Sequence, residues 1–296
     1  MKVKIWGCRG SIAVPGPDTV KYGGNTTCYE IRSDSGELLI IDSGTGFREL
    51  GNALIPEMPI KAHIIFSHTH YDHVIGYPFF VPFFVPTNEF EIYGPALFDK
   101  GFREVMKELL SYSFFPVRLD ELAAKLSFND MKEETVQMGP FTVQSFYANH
   151  PVTTLAYRVT CDEKTFLFTG DTEPYLNHLD GDEDVDPEEY EEIQELIEEQ
   201  NDRWIHFLQD ADTVMYDAQY TPEEYPKFKG WGHTSMDVAI QNSHKANVKK
   251  LILTHHDPKR TDDQIDELLP YWQNYAKEHN LLPSISFAQE GHTYDI

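Results

Sequence analysis

The stretch Ser67-His68-Thr69-His70-Tyr71-Asp72-His73 places three histidines and an aspartate within six residues, directly behind the apolar run Ile64-Ile65-Phe66. The β-branched and aromatic content of that run predicts a buried strand. Packing alone does not require such a cluster, because imidazoles and carboxylates are costly to bury without a partner. A divalent metal ion satisfies both, since neutral imidazole and carboxylate are preferred ligands for zinc and related ions. In an extended turn His68 and His70 point to one side, as alternate residues do. Asp72 and His73 then curl away and can face a second ion. Any fold for this chain has to bring the end of a buried strand to a metal centre.

Other strand ends repeat the pattern. Residues 3–6, 28–32, 38–42, 90–93, 141–147, 155–160, 165–169, 213–216, 248–254 and 285–287 read as strands from their β-branched and aromatic runs and flanking turn residues. Helical periodicity marks 47–54, 100–112, a shorter amphipathic segment near 120–126, then 234–245 and 262–279. Besides His68, strands run into His150, Asp171, Asp217 and His255. An open α/β sheet builds its site at the carboxyl ends of its strands in this way. Asp42, at another strand end, is placed either to cap the next helix or to hold a ligating histidine. The apolar run 74–86 carries Phe79, Phe80, Phe83 and Phe84, and Pro78, Pro82 and Pro86 break it. Too short to span a bilayer, it reads as an irregular wall beside the metal motif.

Composition narrows the partners. Lys and Arg number 24 against 49 Asp and Glu, a formal charge of -25. A long nucleic acid needs a basic track to displace counterions, so that partner is not expected. A small anion is still compatible, because bound metals dominate the field inside a site. Cys8, Cys28 and Cys161 are odd in number and far apart, which argues against a disulfide framework and fits a reducing cytoplasm. Residues 1–5 run straight into a strand pattern and leave no room for a signal peptide. No membrane partner is expected, and a homodimer is left open. Residues 179–212 carry a dense acidic block with Tyr190, Ile193, Leu196 and Ile197 on one helical face. The block reads as a solvated helical insertion within a single domain over 1–296.

The run His68-Thr69-His70-Tyr71-Asp72-His73 resembles the HxHxDH signature of the metallo-β-lactamase superfamily. The resemblance continues in order through Asp42-Ser43-Gly44, His150, Thr169-Gly170-Asp171-Thr172 and Leu253-Thr254-His255, nearly the whole chain. Gly7-Cys8-Arg9-Gly10-Ser11 and Gly23-Gly24-Asn25-Thr26 resemble the branch containing ribonuclease Z and bacterial cyclic-phosphate phosphodiesterases. The resemblance implies an α/β fold, an αββα sandwich of two mixed sheets flanked by helices. It implies two divalent ions, zinc first and manganese or iron as alternatives. His68, His70 and His150 would hold one ion, Asp72, His73 and His255 the other, and Asp171 would bridge them. His256, adjacent to His255, stays open as the competing ligand.

Gly232-His233-Thr234-Ser235 resembles the Gly-His-Ser-Thr segment of the phosphodiesterase branch, whose histidine lies beside the scissile phosphate. Tyr216-Asp217-Ala218-Gln219-Tyr220 resembles the acidic segment that orients it. The expected chemistry is hydrolysis of a small cyclic phosphate or cyclic nucleotide. Two ions supply a hydroxide-like bridging water near neutral pH and neutralise phosphate oxygens. Asp72 accepts a proton as well as binding metal, and His233, aimed by Asp217, protonates the leaving oxygen. Arg9 and the amides of Gly23 to Thr26, with Asn25 and Thr26, are candidate phosphate contacts, and Phe79, Phe80, Phe83 or Phe84 a surface for a base. The alternatives are a carboxylic-ester, lactone or thioester hydrolase on the same scaffold, or a non-hydrolytic diiron oxygen-binding protein.

Overall fold

Leu38-Leu39-Ile40-Ile41 and Leu251-Ile252-Leu253 are apolar at every position. A strand of that kind has two faces to bury and needs a layer on each side. The computed structural model, which describes residues 1–180 and 185–296, has that four-layer arrangement. One sheet contains β1 (Lys2–Gly7), β2 (Cys28–Arg32), β3 (Leu38–Ile41), β4 (Lys61–Ile65), β5 (Glu89–Pro95), β6 (Lys125–Met131) and β14 (Thr293–Asp295), in the order β14-β1-β2-β3-β4-β5-β6. The other contains β7 (Thr135–Met138), β8 (Phe141–Ala148), β9 (Thr154–Cys161), β10 (Lys164–Phe168), β11 (Thr213–Asp217), β12 (Lys250–Thr254) and β13 (Ser284–Phe287), in the order β13-β12-β11-β10-β9-β8-β7.

Alternation along the strands sorts side chains into three apolar layers. Leu39, Ile41 and Ile65 meet Tyr157, Val159, Phe166, Met215 and Ile252 between the sheets. Leu38, Ile40 and Ile64 point the other way and pack under α1 (Gly46–Ala53), α2 (Tyr71–Val74) and α3 (Phe102–Leu109). Val214, Tyr216, Leu251 and Leu253 pack under α4 (Pro187–Leu208), α5 (Met236–Lys245) and α6 (Asp262–Glu278). The fold is an αββα sandwich of two mixed sheets. β3 through β6 run parallel, as do β10 through β13, so their carboxyl ends lie on one edge of each sheet. Across that edge Leu155 N–H donates to the Ser67 carbonyl at 2.9 Å and Tyr157 Oη to the Phe66 carbonyl at 2.6 Å. The Tyr29 and Thr254 hydroxyls meet at 2.8 Å.

Some sequence expectations are corrected. The segment near 120–126 is not a helix: a single 3-10 turn at Leu119–Glu121 leads into β6, an edge strand whose side chains alternate. β7 and β14 were not anticipated, and both lie at sheet edges. Phe80 and Phe83 are fully buried beneath α1, where Phe80 stacks on Phe47 with ring centres 3.9 Å apart, so neither can meet a ligand. Residues 181–184 of the acidic block lie outside the described residues. In α4 the packing is done by Trp204, Phe207 and Leu208 rather than by the earlier apolar face, and Leu196 is 59% exposed. Cys8, Cys28 and Cys161 are free thiols. Among the described residues no helix is long and apolar enough to cross a membrane.

Candidate metal centre

Most residues of the site sit at or just beyond a strand end: β3 leads to Asp42, β4 to His68, β8 to His150, β10 to Asp171 and β12 to His255, and β11 ends at Asp217. Asp42 and His255 hold φ of 58 and 60, in the left-handed region that non-glycine residues rarely adopt. That turn folds each side chain back over the sheet end. Gly10 is required beside it, because a Cβ there would stand 2.3 Å from the His255 ring. At α2 the helical curl sends Asp72 and His73 inward while Tyr71 and Ile75 stay outside.

Two donor sets converge. His68, His70, His150 and Asp171 form one, and Asp72, His73, Asp171 and His255 the other, with the offered atoms of each set within 4.8 Å of one another; Asp217, His233 and His255 make a smaller third grouping within the same distance. Asp171 belongs to both of the larger sets. Its Oδ2 lies 3.5 Å from His68 Nε2, 3.3 Å from His73 Nε2 and 3.3 Å from His255 Nε2. Asp72 Oδ2 lies 3.2 Å from His255 Nε2 and 3.4 Å from His73 Nε2, and accepts from the Ser11 N–H at 2.7 Å. His70 Nδ1 stands 3.1 Å from His150 Nε2. His255 is therefore the histidine in the cluster. His256 is turned away, with Nε2 on the Ala288 carbonyl at 2.8 Å, and burial beside Arg9 depresses it to about 3.

The outer partners hold ring orientation, as metal-ligating histidines require. His73 Nδ1 meets Asp42 Oδ2 at 2.7 Å, His150 Nδ1 the Gly232 carbonyl at 2.8 Å and His255 Nδ1 Gln219 Oε1 at 2.9 Å. His68 Nδ1 lies 3.1 Å from the Ser67 hydroxyl, which donates to Asp42. Of the two roles open to Asp42, holding a histidine is the one seen. The Nε2 atoms of His68 and His73 are buried without a hydrogen-bond partner among the described residues. Orphaned imidazole nitrogens aimed at carboxylates in an N/O donor set fit divalent ions.

The charges agree. Burial opposes ionisation of Asp171, yet His255, His73 and His68 outweigh it and hold the carboxyl well below its usual range. Asp72 is held down in the same way, against its burial, by His73 and His255. Burial pushes His255 down, but Asp171 and Asp72 carry it up to about 10, and His73 is likewise raised by Asp171, Asp72 and Asp42. His68 goes the other way, held well below its ordinary value by burial and by His73. Neighbouring charge thus favours ionised carboxylates at Asp72 and Asp171 and protonated rings at His73 and His255.

His233 stands beside the donor sets. Its Nδ1 is 3.0 Å from Asp217 Oδ2, and its ring centre is 5.3 Å from that of His150 and 4.7 Å from that of His255. Asp217 Oδ2 also accepts from the Thr172 N–H at 3.0 Å.

The phosphate-contact candidates are not brought to the site. Arg9 is fully buried and donates to the Gly23 carbonyl at 2.7 Å and the Arg260 carbonyl at 2.7 Å. Asn25 is held by Glu290 at 2.6 Å, and Thr26, fully buried, exchanges hydrogen bonds with Thr45. The glycines allow tight packing of these loops rather than an open cradle.

Three contributors were not singled out from sequence: Ser11, Gln219 and Glu173. Glu173 accepts from the Tyr225 hydroxyl at 2.6 Å, the Gly230 N–H at 2.8 Å and the Gly232 N–H at 2.9 Å, while its own N–H donates to the Asn149 carbonyl at 2.9 Å. It therefore ties the loop carrying His233 to the segment carrying His150. Its place two residues past Asp171 was the only available signal.

The metallo-beta-lactamase superfamily family model matches residues 22–205, more than half of the chain. The ribonuclease Z of Nanoarchaeum equitans (strain Kin4-M) is 25% identical over 240 residues, covering 72% of each chain. Among solved structures, the metallo-beta-lactamase fold protein YhfI from Bacillus subtilis superposes with a TM-score of 0.68 at 20% identity over 99% of both chains. A diphosphatase from the PhnP family superposes with a TM-score of 0.66 at 16% identity, over 100% of this chain and 97% of that one. Motif order, sheet topology and family match agree, and this chain belongs to the metallo-beta-lactamase superfamily.

Proposed function

We propose that the chain is a two-metal phosphoric diester hydrolase whose substrate is a small phosphodiester, such as a cyclic phosphate or cyclic nucleotide. The observation that carries this reading is His233 on Asp217, an imidazole added to two complete donor sets. Hydrolysis of a carboxylic ester does not need a further acid at that position, whereas a poor alkoxide leaving group on phosphorus does. The similarity to a ribonuclease Z and to the fold of a diphosphatase supports phosphorus as the reacting centre. The charge of -25 supports a small substrate over a polynucleotide.

His68, His70, His150 and Asp171 would hold one divalent ion, and Asp72, His73, Asp171 and His255 the other. Bound there, zinc, or manganese or iron in its place, would neutralise phosphate charge and ionise a water near neutral pH. Asp72 would contribute to the second set from the side of Oδ2, where Ser11 N–H, His73 and His255 converge. Oδ1 makes no hydrogen bond among the described residues and would take a proton from the attacking water. His233, with Nδ1 held by Asp217, presents Nε2 and gives its proton to the departing oxygen. His233→Ala is expected to lower turnover of cyclic nucleotides, whose leaving group is an alkoxide, by about 10²- to 10⁴-fold, and that of bis-p-nitrophenyl phosphate, whose nitrophenolate leaves without a proton, far less. Metal content should stay unchanged in that variant; loss of metal would make His233 a ligand and overturn the assignment. Silence of the wild type across those substrates under zinc, manganese and iron, with activity on a lactone or thioester, would overturn the reaction class.

A further inference from the structure

Beside the metal centre lies a cavity of about 560 Å³, on the far side of the loop that carries the ligands. Its walls begin at Thr69 and Tyr71, which alternate with His68, His70 and Asp72 in sequence. They continue over Ile75 and Phe79 and over Leu109, Phe114 and Phe115 on and after α3. We propose that this cavity is the specificity subsite for an uncharged aromatic substituent on the substrate phosphate, given the phosphodiesterase reading above.

Position comes first. His70 and Tyr71 are exposed, so the loop between the donor sets and the cavity is open to solvent. Thr69 and Tyr71 in the wall are each covalently next to donor residues on both sides, so the cavity begins within one residue of His68, His70 and Asp72. Size agrees, because ligand pockets commonly run from about 300 to 1,000 Å³. Chemistry selects the class. Tyr71, Phe79 and Phe114 are 72%, 53% and 81% exposed, an arrangement that leaves large apolar area uncovered. Phe79 already meets Phe115 edge-on with ring centres 5.4 Å apart, leaving a face for a third ring. Glu108 is the one ionisable carboxylate in the lining, and it disfavours a second anionic group in the cavity. The Tyr71 hydroxyl and Thr69 Oγ1 make no hydrogen bond among the described residues and offer a polar edge, which a nucleobase could use and a plain aryl group would not need.

The test separates this subsite from the reaction class. The zinc-loaded full chain is titrated calorimetrically with methylphosphonate, phenylphosphonate and 1-naphthylphosphonate, and turnover of methyl and naphthyl p-nitrophenyl phosphodiesters is followed in parallel. The aromatic phosphonates are expected to bind on the order of 10- to 100-fold more tightly than methylphosphonate, and the naphthyl diester to show the same preference in kcat/KM. Phe79→Ala and Tyr71→Ala, both at exposed positions, should each remove roughly tenfold of that preference and leave methylphosphonate binding unchanged. Equal affinity for all three phosphonates, or a preference that survives both substitutions, overturns the subsite. Absence of diester turnover with the binding preference intact overturns the phosphodiesterase reading alone. A cyclic nucleotide that outcompetes naphthylphosphonate and loses that advantage in Thr69→Val identifies the aromatic group as a base.

Discussion

Glu173 shows how a residue that touches no reacting atom can govern those that do. Its carboxylate gathers the Tyr225 hydroxyl and two backbone N–H groups of the 230–232 segment, and the Gly232 carbonyl in turn orients His150. Gly232 has φ 85, and a Cβ there would stand 2.3 Å from His150 Nδ1, so the loop and the ring are fitted to each other. Glu173→Ala leaves three donors without their acceptor, at about 1–3 kcal/mol for each one that stays buried. The expected outcome is a 10- to 100-fold weaker affinity at the His68-His70-His150 set, on the order found when outer partners of metal ligands are removed, together with reduced turnover. Metal titration checks this; unchanged affinity with a merely lower melting temperature would reduce Glu173 to a structural tie. A second residue-scale outcome concerns His73 and His255. Both are raised, His255 to about 10, because Asp171 and Asp72 face them and favour the protonated rings. A metal must displace those protons, and so uptake releases them and apparent affinity rises as pH climbs from about 6 to about 9. Potentiometric or calorimetric titration in buffers of different ionisation heat reads the proton count directly. No proton release would contradict these protonation states.

At the scale of elements, most of the central strands and the site residues behind them were legible because burial on two faces leaves a plain signature. β3 and the middles of β11 (214–216) and β12 (251–253) are continuous apolar runs, and each run leads to a titratable residue that a core would not tolerate without a partner. β6, β7 and β14 escaped because they are edges, half wet and mixed in composition, as in Lys125-Leu126-Ser127-Phe128-Asn129-Asp130-Met131. Arg9 misled for a related reason: a lone arginine near glycines suggests an anion, but here its guanidinium binds three main-chain carbonyls in two loops. α4 is the clearest case of local pattern without packing. Its first turns are acidic and exposed, and it is anchored at its end, where Trp204 Nε1 donates to the Tyr216 hydroxyl at 2.6 Å and the indole lies 5.9 Å from the Phe146 ring. Trp204→Ala should therefore destabilise the chain by about 3–5 kcal/mol in urea unfolding. Leu196→Ser, on the face that periodicity alone would have buried, should change stability by less than about 0.5 kcal/mol. Similar costs for both would mean that the whole length of α4 is packed.

Across the whole molecule, charge and site point in opposite directions, and their competition depends on substrate length. More than half of the acidic excess falls in residues 179–212, and many exposed cations elsewhere are already paired, among them Lys21 with Asp266, Arg103 with Asp120 and Lys249 with Asp212. A small phosphodiester at the donor sets lies within one screening length, about 8–10 Å, of the ions that would hold it, and feels little of the remote surface. A polynucleotide spans many screening lengths and meets the full repulsion. Raising salt weakens most protein–nucleic acid pairs because it undoes counterion release from a basic track. Here the sign should reverse. Cleavage of an RNA oligomer, if measurable at all, is expected to speed up as salt rises from about 50 to about 200 mM, because repulsion is being screened. Over the same range kcat/KM for a cyclic nucleotide should change by less than about twofold. Steady-state rates for the two substrates in one salt series decide the matter. An RNA rate that falls steeply with salt, as it does for proteins that track phosphates with lysine and arginine, would reveal a basic path on this surface and make RNA the better substrate class.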